Sequence, residues 1–567
     1  MCDQGYKGVL LSDFNVGNLI GYFCNDKGDP AVERIIVPQG QVIASLLKED
    51  LECWHGDTDF CVVWTRPQAV INSFQKCLSY QSVLLDDILR EVDTFCSLLR
   101  EVSDRVKWVF VPTWTVSTHH RGLGMLDAKN GQGISYVLSR MNLRLSQNLQ
   151  NTENLYILDA QRWVSLAGAG AFSPKLWYMG KIPFGNQVFK EAVSDVKAAL
   201  HGLSGNARKL IILDLDNTLW GGIVGDDGWE NLRLGGHDPI GEALVDFQRE
   251  IKHLTNRGIL LGLVSKNEES VALNAIRKHP EMLLRLEDFV GWRINWMDKA
   301  QNIIDLVSEL NLGLQSVVFI DDNPVERARV KDVLPEVMVP EWPEDKMLYP
   351  KTLLGLRCFD SPSVTAEDHA RTNMYAENHQ RGALKKSARS LDDWLGDLDT
   401  RVQVEELNQA NLKRTVQLLN KTNQMNLRTR RFTEQELMNW LSTGLRKMWT
   451  FNVSDKFGNS GLTGVLSFEE EHPRGIIADY VLSCRVMGRK IEDTMIYVSI
   501  QYARSVGLDH VIAEYVQTHK NGPCLEFFKG TDFVFNANEG CFVWDLTRDF
   551  PLPSCIKIEG AYGSEMA

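Results

Sequence analysis

Lys209-Leu-Ile-Ile-Leu-Asp-Leu-Asp-Asn-Thr-Leu-Trp-Gly-Gly-Ile-Val-Gly-Asp-Asp-Gly228 is the stretch on which the fold turns. Lys209–Leu213 is a short apolar run of strand length. Asp214 and Asp216 follow it directly, two residues apart. Carboxylates at the C-terminal end of a parallel strand point into the crevice where open α/β sheets bind ligands.

Downstream the pattern repeats. Leu244, Phe247, Ile251 and Leu254 share one helical face, Gly258 caps that helix, and Ile259–Val264 reads as the next strand. Ser265-Lys266-Asn267 follows it. Ile303, Leu306, Val307 and Leu310 mark another helix, preceded by Lys299 in Trp296-Met-Asp-Lys299. Val317–Ile320 is a further strand, ending on Asp321-Asp322-Asn323-Pro324. A βαβ series predicts a parallel sheet. Carboxylates from two strand ends can converge on one hard cation. Mg²⁺ suits such a site, taking one or two carboxylates plus water and substrate phosphate. Ser265 supplies a hydroxyl and Lys299 an ammonium for phosphate oxygens.

Nucleophile, hydroxyl, lysine and acidic pair occur in the order of the haloacid dehalogenase (HAD) superfamily. About fifty residues separate Asp214 from Ser265, which leaves little room for a cap domain. The text of 213–228, Phe247-Gln248, Ser265–Asn267, Ile294-Asn-Trp296 with Lys299, and Phe319–Arg327 together resembles the FkbH-like family of that superfamily. The resemblance implies that Asp214 attacks phosphorus and Asp216 acts as acid and base. It places Mg²⁺ on Asp214, Asp216 (through its backbone carbonyl), Asp321 and Asp322, and phosphate oxygens on Thr218, Ser265, Lys266 and Lys299. It further implies 1,3-bisphosphoglycerate as substrate, with a glyceryl group loaded onto the phosphopantetheine arm of an acyl carrier protein for polyketide biosynthesis.

Residues 390–550 form a third segment, after a polar stretch at 377–389. A helix (410–419) precedes strands near 448–453, 462–468 and 476–482; a helix (491–505) and a strand (511–514) follow, and the tail after Pro551 is expected to be loose. Lys421–Arg431, Asp455–Gly464, Ser483–Arg489 and Thr518–Asn521 look like further blocks of the same family, and the layout is similar to a GNAT acyltransferase. Arg485, Gly488 and Arg489 sit between strand and helix, where backbone N–H groups and guanidinium groups suit an anion. With His519 they are the expected pantetheine-binding residues. The turn departs in part from the GNAT glycine signature, which counts against free coenzyme A. Cys484 is the candidate acyl acceptor beside these cations; a buried structural cysteine is the other reading, and the sequence leaves both open. Arg428, Arg430 and Arg431, near Lys421, are a candidate docking patch for an acidic carrier, with a solvated helix face as the alternative.

Residues 1–205 alternate strands (9–11, 62–64, 108–111, 155–158) with helices (83–99, 134–149), again an α/β pattern. This segment looks like an SGNH-hydrolase domain. Its expected late Asp-x-x-His is missing: Leu176-Trp-Tyr-Met-Gly180 stands there, so Ser12 is expected to be structural. The overall expectation is three α/β domains: SGNH-like (1–205), a HAD Rossmann-like parallel sheet with minimal cap (206–360), and GNAT-like (390–550), joined first by a linker at 203–208.

A net charge of −13 argues against a protein built to coat nucleic acid. No run approaches the length of a membrane span. The unpatterned cysteines fit reduced thiols in a cytoplasm. Two competing functions are a plain phosphatase acting on a sugar phosphate in polysaccharide assembly, and a coenzyme A-dependent N-acyltransferase.

Overall fold

A computed structural model describes residues 5–363 and 390–560, apart from 27, 29, 39, 40, 49, 50, 52, 55–57, 130, 132, 237, 443, 444 and 537–539. The polar stretch 377–389 lies outside the described residues. The chain divides into two compact units, Met1–His201 and Gly202–Ala567.

In the first unit, β1 (Tyr6–Ser12), β2 (Val32–Ile36), β3 (Phe60–Trp64), β4 (Trp108–Pro112) and β5 (Leu155–Leu158) form a parallel sheet in the order β2-β1-β3-β4-β5. Every residue of β3 and β4 is buried, the signature of a sheet covered on both faces. After β1, the Ser12 hydroxyl oxygen accepts the Phe14 amide (3.2 Å), a turn-forming role, while Asp13 pairs with the Arg66 guanidinium (2.6 Å).

The second unit contains two sheets. β6 (Leu210–Leu213), β7 (Leu260–Ser265), β8 (Phe289–Ile294) and β9 (Val317–Ile320) are parallel, in the order β8-β7-β6-β9. Side chains along β6 alternate between two cores. Ile211 and Leu213 join Leu244, Phe247 and Ile251 of the helix Pro239–Asn256. Leu210 and Ile212 join Ile303, Leu306 and Val307 of the helix Lys299–Glu309. Gly262 and Gly291 oppose each other across β7 and β8. A Cβ on either would come within 2.9 or 2.8 Å of Leu306, so their bare backbones let this helix seat closely and fix where its first residue, Lys299, lies.

The other sheet contains β10 (Thr400–Glu406), β11 (Met425–Asn426), β12 (Arg446–Asp455), β13 (Gly458–Glu471), β14 (Arg474–Leu482), β15 (His510–Glu514), β16 (Val534–Asn536), β17 (Cys541–Asp545) and β18 (Ile556–Gly560). Its main path runs β16-β17-β15-β14-β13-β12-β10-β18, with β11 on β14. Part of the tail expected to be loose is a strand: Ile556–Gly560 pairs in parallel with Thr400–Val404, and Ile556 is buried; 561–567 lie outside the described residues. The expected linker is also packed. Lys209 Nζ donates to the Lys421 carbonyl (3.3 Å), and Asn423 Nδ2 to the Gly205 carbonyl (3.2 Å). Among the described residues, no helix is long and apolar enough to cross a membrane.

Candidate active site

Asp214, Asp321 and Asp322 meet at the C-terminal ends of the neighbouring strands β6 and β9, with carboxylate oxygens within 4.8 Å of one another. The Asp214 amide donates to the Ile320 carbonyl (3.0 Å), which continues the pairing one residue past the sheet and holds both acidic turns in register. Lys299 reaches over from its helix, 2.6 Å from Asp321 and 3.1 Å from Asp214. Asp214, Asp321 and Lys299 are all buried, so their charges act in a medium that screens poorly. Burial pushes the Asp214 carboxyl up to about 7; the Lys299 charge beside it pulls it down, Asp321 adds to the rise, and a hydrogen bond from Ser265 pulls it down. Burial works against the Lys299 ammonium, but Asp214 and Asp321 together hold it above the ordinary lysine range. Asp322 is raised by burial and by Asp321.

Three carboxylates face one ammonium, leaving an excess of two negative charges when all are ionised. A dication balances that excess, and an all-oxygen donor set suits a hard ion such as Mg²⁺. The residues present thus fit the expected metal.

The surrounding residues fix these groups. Thr218, fully buried, accepts the Asp322 amide on its hydroxyl (3.1 Å), which ties the β6 turn to the acidic turn. Asn323 Oδ1 accepts the Val325 amide (2.9 Å) and caps the helix Pro324–Val333. Arg327 Nη1, one turn along, donates to the carbonyls of Asp321 (2.8 Å) and Asp322 (2.7 Å). Ser265 lies buried at the end of β7 against Asp214.

The Asp216 side chain stands apart from the carboxylate cluster. Its Oδ1 accepts from Trp220 Nε1 (2.8 Å) and the Val224 amide (3.0 Å), and its Oδ2 from Asn267 Nδ2 (2.8 Å). A side-chain metal ligand at Asp216 is not what this arrangement offers. Lys266 is not brought to the cluster either: it is exposed and pairs with Glu326 (2.6 Å). Asn267 and Arg327 are the site residues that sequence reasoning did not single out, although both lie inside quoted motifs. Asn267→Ala removes a hydrogen bond to a carboxylate, worth about 1.5–3 kcal/mol. The expected result is a fall in kcat for phosphate release of roughly 10- to 100-fold with KM unchanged, read by steady-state kinetics.

In the other sheet the expected anion site at the strand-to-helix turn is consumed internally. The Gly488 amide donates to Glu492 Oε1 (2.6 Å), and Arg489 is buried in an ion pair with Asp455 (3.1 Å). The basic patch is spent in the same way. Arg428 pairs with Glu514 (2.7 Å), Arg430 with Asp479 through both of its oxygens, and Arg431 with the Leu419 carbonyl and Asn423. His519 is exposed, whereas its neighbour Lys520 shares a cavity lining with Cys484 and Arg485.

The sheet also holds a short inserted strand between β14 and β15. The two strands pair only from Arg474–Ile477 and His510–Ala513, then part. Into the gap runs β11: Met425 and Asn426 pair with Leu482 and Val481, and Leu427 bridges Tyr480 and Val516 by backbone hydrogen bonds of 3.1 Å each. Asn521, fully buried, locks the plug by donating to the Asn426 carbonyl (3.0 Å). Asn521→Ala should cost about 1–3 kcal/mol through that unpaired carbonyl, measured by urea unfolding.

No family model and no curated protein matches the chain. Among solved structures, the chain is similar to the N-terminal part of the Bacteroides fragilis protein BF1531, which contains a phosphatase domain and was crystallised with Mg. The two are 28% identical over 63% of this chain and 95% of that one, with a TM-score of 0.56. Acetyltransferases also align: a chimeric spermidine N-acetyltransferase SpeG from Vibrio cholerae (14% identity, 26% of this chain, 96% of that one) and a GNAT-family enzyme from Staphylococcus aureus (11%, 26% and 99%), both at a TM-score of 0.21.

Proposed function

We propose that the chain is a Mg²⁺-dependent phosphatase of the HAD type, coupled to transfer of a glyceryl group from 1,3-bisphosphoglycerate to an acyl carrier protein. The observation that carries the phosphoryl chemistry is the buried meeting of Asp214, Asp321, Asp322 and Lys299 at adjacent strand ends. The likeness to a Mg-bound phosphatase domain supports it.

In this reading an Asp214 oxygen attacks phosphorus as the bond to the leaving oxygen breaks. Asp216 carries the proton to that oxygen and then takes one from the water that cleaves the aspartyl phosphate. Its Oδ2 accepts one of the three hydrogen bonds described above, and is the oxygen with capacity left for a proton. Lys299 and Ser265 hold the phosphoryl oxygens. Mg²⁺, held by Asp214, Asp321 and Asp322, would offset the charge of a carboxylate meeting a phosphate.

Delivery by a macromolecule is supported by the rim. Ile223, Trp296 and Met297 are exposed in the segments that follow β6 and β8, and Val325 is exposed in the first turn of the helix that follows β9, so apolar side chains face solvent on the segments that leave these strand ends. The thiol step is assigned to Cys484, half-buried in the turn after β14. We keep the SGNH-like reading of the first unit as a scaffold or docking role, and a cytoplasmic setting. The internal pairing of Gly488 and Arg489 at the strand-to-helix turn weighs against a coenzyme A-dependent N-acyltransferase. A plain phosphatase remains the competing reading, favoured by the internal pairing of Gly488 and Arg489. Incubation with Mg²⁺, 1,3-bisphosphoglycerate and a holo carrier protein decides between them. Our reading predicts a glyceryl mass on the pantetheine, lost with Cys484→Ala; phosphate release with no acyl adduct would select the plain phosphatase.

A further inference from the structure

The first unit holds a cavity of about 290 Å³ beyond the C-terminal ends of β3 and β4. Arg66 reaches it from the segment after β3, and Thr115 from the segment after β4. Phe172, Trp177 and Phe184 come from the helix Pro174–Gly180 and its flanks. The sheet order β2-β1-β3-β4-β5 reverses direction between β1 and β3. Open α/β sheets bind ligands outside the carboxyl ends of their strands at such a point. Asp13, just past β1, and Arg66, just past β3, meet across it. The volume is close to the lower end of the roughly 300–1,000 Å³ usual for small-molecule sites.

The lining offers hydrogen-bond donors. The Arg66 amide and Nε donate to Asp13 Oδ1 (2.7 Å) and Oδ2 (2.6 Å), which fixes the guanidinium. Its central carbon lies 4.2 Å from the centre of the Trp177 ring. Neither Nη1 nor Nη2 of Arg66 has a hydrogen-bond partner among the described residues. Thr115 is only 8% exposed and lines the same space, and its hydroxyl has no partner among the described residues either. A buried hydroxyl left unpaired costs free energy, which a ligand acceptor recovers.

Charge selects among acceptors. No Asp or Glu lines the cavity, and Arg66 is its one guanidinium or ammonium group. Asp13 already balances that charge. A ligand carboxylate would set a second anion on the same guanidinium and would have to shed its water. A neutral carbonyl takes up the same N–H groups without that cost. Phe172, Trp177 and Phe184 add ring surface, against which an aromatic ligand gains offset or edge contacts beyond simple burial.

We infer that this cavity binds a small, neutral aromatic molecule bearing a carbonyl group. The oxygen accepts from Arg66 and Thr115, and the ring lies among Phe172, Trp177 and Phe184. The role is binding rather than hydrolysis, since Ser12 stands outside the lining. The inference goes beyond the scaffold role given to the first unit and does not rest on the chemistry at Asp214.

The test is a ligand titration of the full chain at pH 8, followed by saturation-transfer NMR. Phenylacetamide should bind in the millimolar range or tighter. Phenylacetate should bind at least fivefold more weakly, and cyclohexylacetamide at least threefold more weakly. Trp177→Leu and Thr115→Val should each weaken phenylacetamide binding at least threefold, while Asp214→Asn should bind it as the parent does. If Trp177→Leu fails to fold, Phe172→Leu takes its place. No binding of phenylacetamide, equal binding of phenylacetate or cyclohexylacetamide, unchanged affinity in either cavity variant, or loss of affinity in Asp214→Asn would overturn the inference.

Discussion

Asp214→Asn should release phosphate at least about 10⁴-fold more slowly than the parent chain, on the scale seen when the attacking residue of a covalent mechanism is removed. The amide keeps the shape of the carboxyl group but is no nucleophile. The same substitution should not weaken the fold. Burial, and the charge of Asp321, raise the Asp214 carboxyl from its unfolded value near 3.8 to about 7. Because the folded value lies above the unfolded one, the native state holds this proton more tightly. Its stabilising effect is fully present below the unfolded value and is lost as pH rises through about 7. Asparagine carries no such proton. In metal-free buffer, the stability of Asp214→Asn relative to the parent should therefore improve steadily between pH 5 and 8. Urea unfolding across that range reads the trend; a constant difference would place the Asp214 carboxyl in an ordinary, solvated setting.

Lys299→Met should damage both stability and rate. The ammonium lies 2.6 and 3.1 Å from two buried carboxylates, and removing it leaves them without their counter-charge. Breaking a buried ion pair by deleting one partner costs about 3–5 kcal/mol. The loss of a cation aimed at the transferring oxygens should cut kcat by roughly 10²- to 10³-fold. Metal gives a way to separate the two effects. Mg²⁺ can replace part of the missing positive charge, so millimolar Mg²⁺ should raise the melting temperature of Lys299→Met more than that of the parent. Equal shifts would mean that Lys299 and the metal do not share the same carboxylates.

Much of the β6–β9 sheet could be read from the chain because period and punctuation agree there. Lys209–Leu213 and Val317–Ile320 are apolar runs closed by acidic turns, and the observed strands begin and end within a residue of them. β8 escaped notice because Phe289–Ile294 contains Gly291 and Arg293, which break the apolar run, while Gly291 is there to admit Leu306. β18 follows a proline-rich segment and is polar on its exposed face; its place is decided by pairing with β10, where Ile556 meets Thr400 across 156 residues of chain, which no local pattern encodes.

The candidate site shows the same division. Asp214, Asp321, Ser265 and Lys299 announce themselves as polar residues at strand or helix ends. Asn267 and Arg327 do not, since their roles depend on which carboxylate or carbonyl the fold brings within reach. The turn 484–490 misled in the opposite way. Its glycine and arginines have the composition of an anion site, yet Glu492, from a helix, accepts the Gly488 amide, and Asp455, from a distant strand, is the counter-charge of the buried Arg489. Composition named the donors; only the tertiary structure names the acceptors.

The most direct measurement is a crystal structure of the chain grown with Mg²⁺ and beryllium trifluoride, a mimic of the phosphoryl group. The account predicts beryllium bonded to an Asp214 oxygen, Ser265 and Lys299 on its fluorides, and one Mg²⁺ touching Asp214 and Asp321. Clear density for the protein with Asp214 unmodified and the carboxylates bare of metal at saturating Mg²⁺ would contradict it.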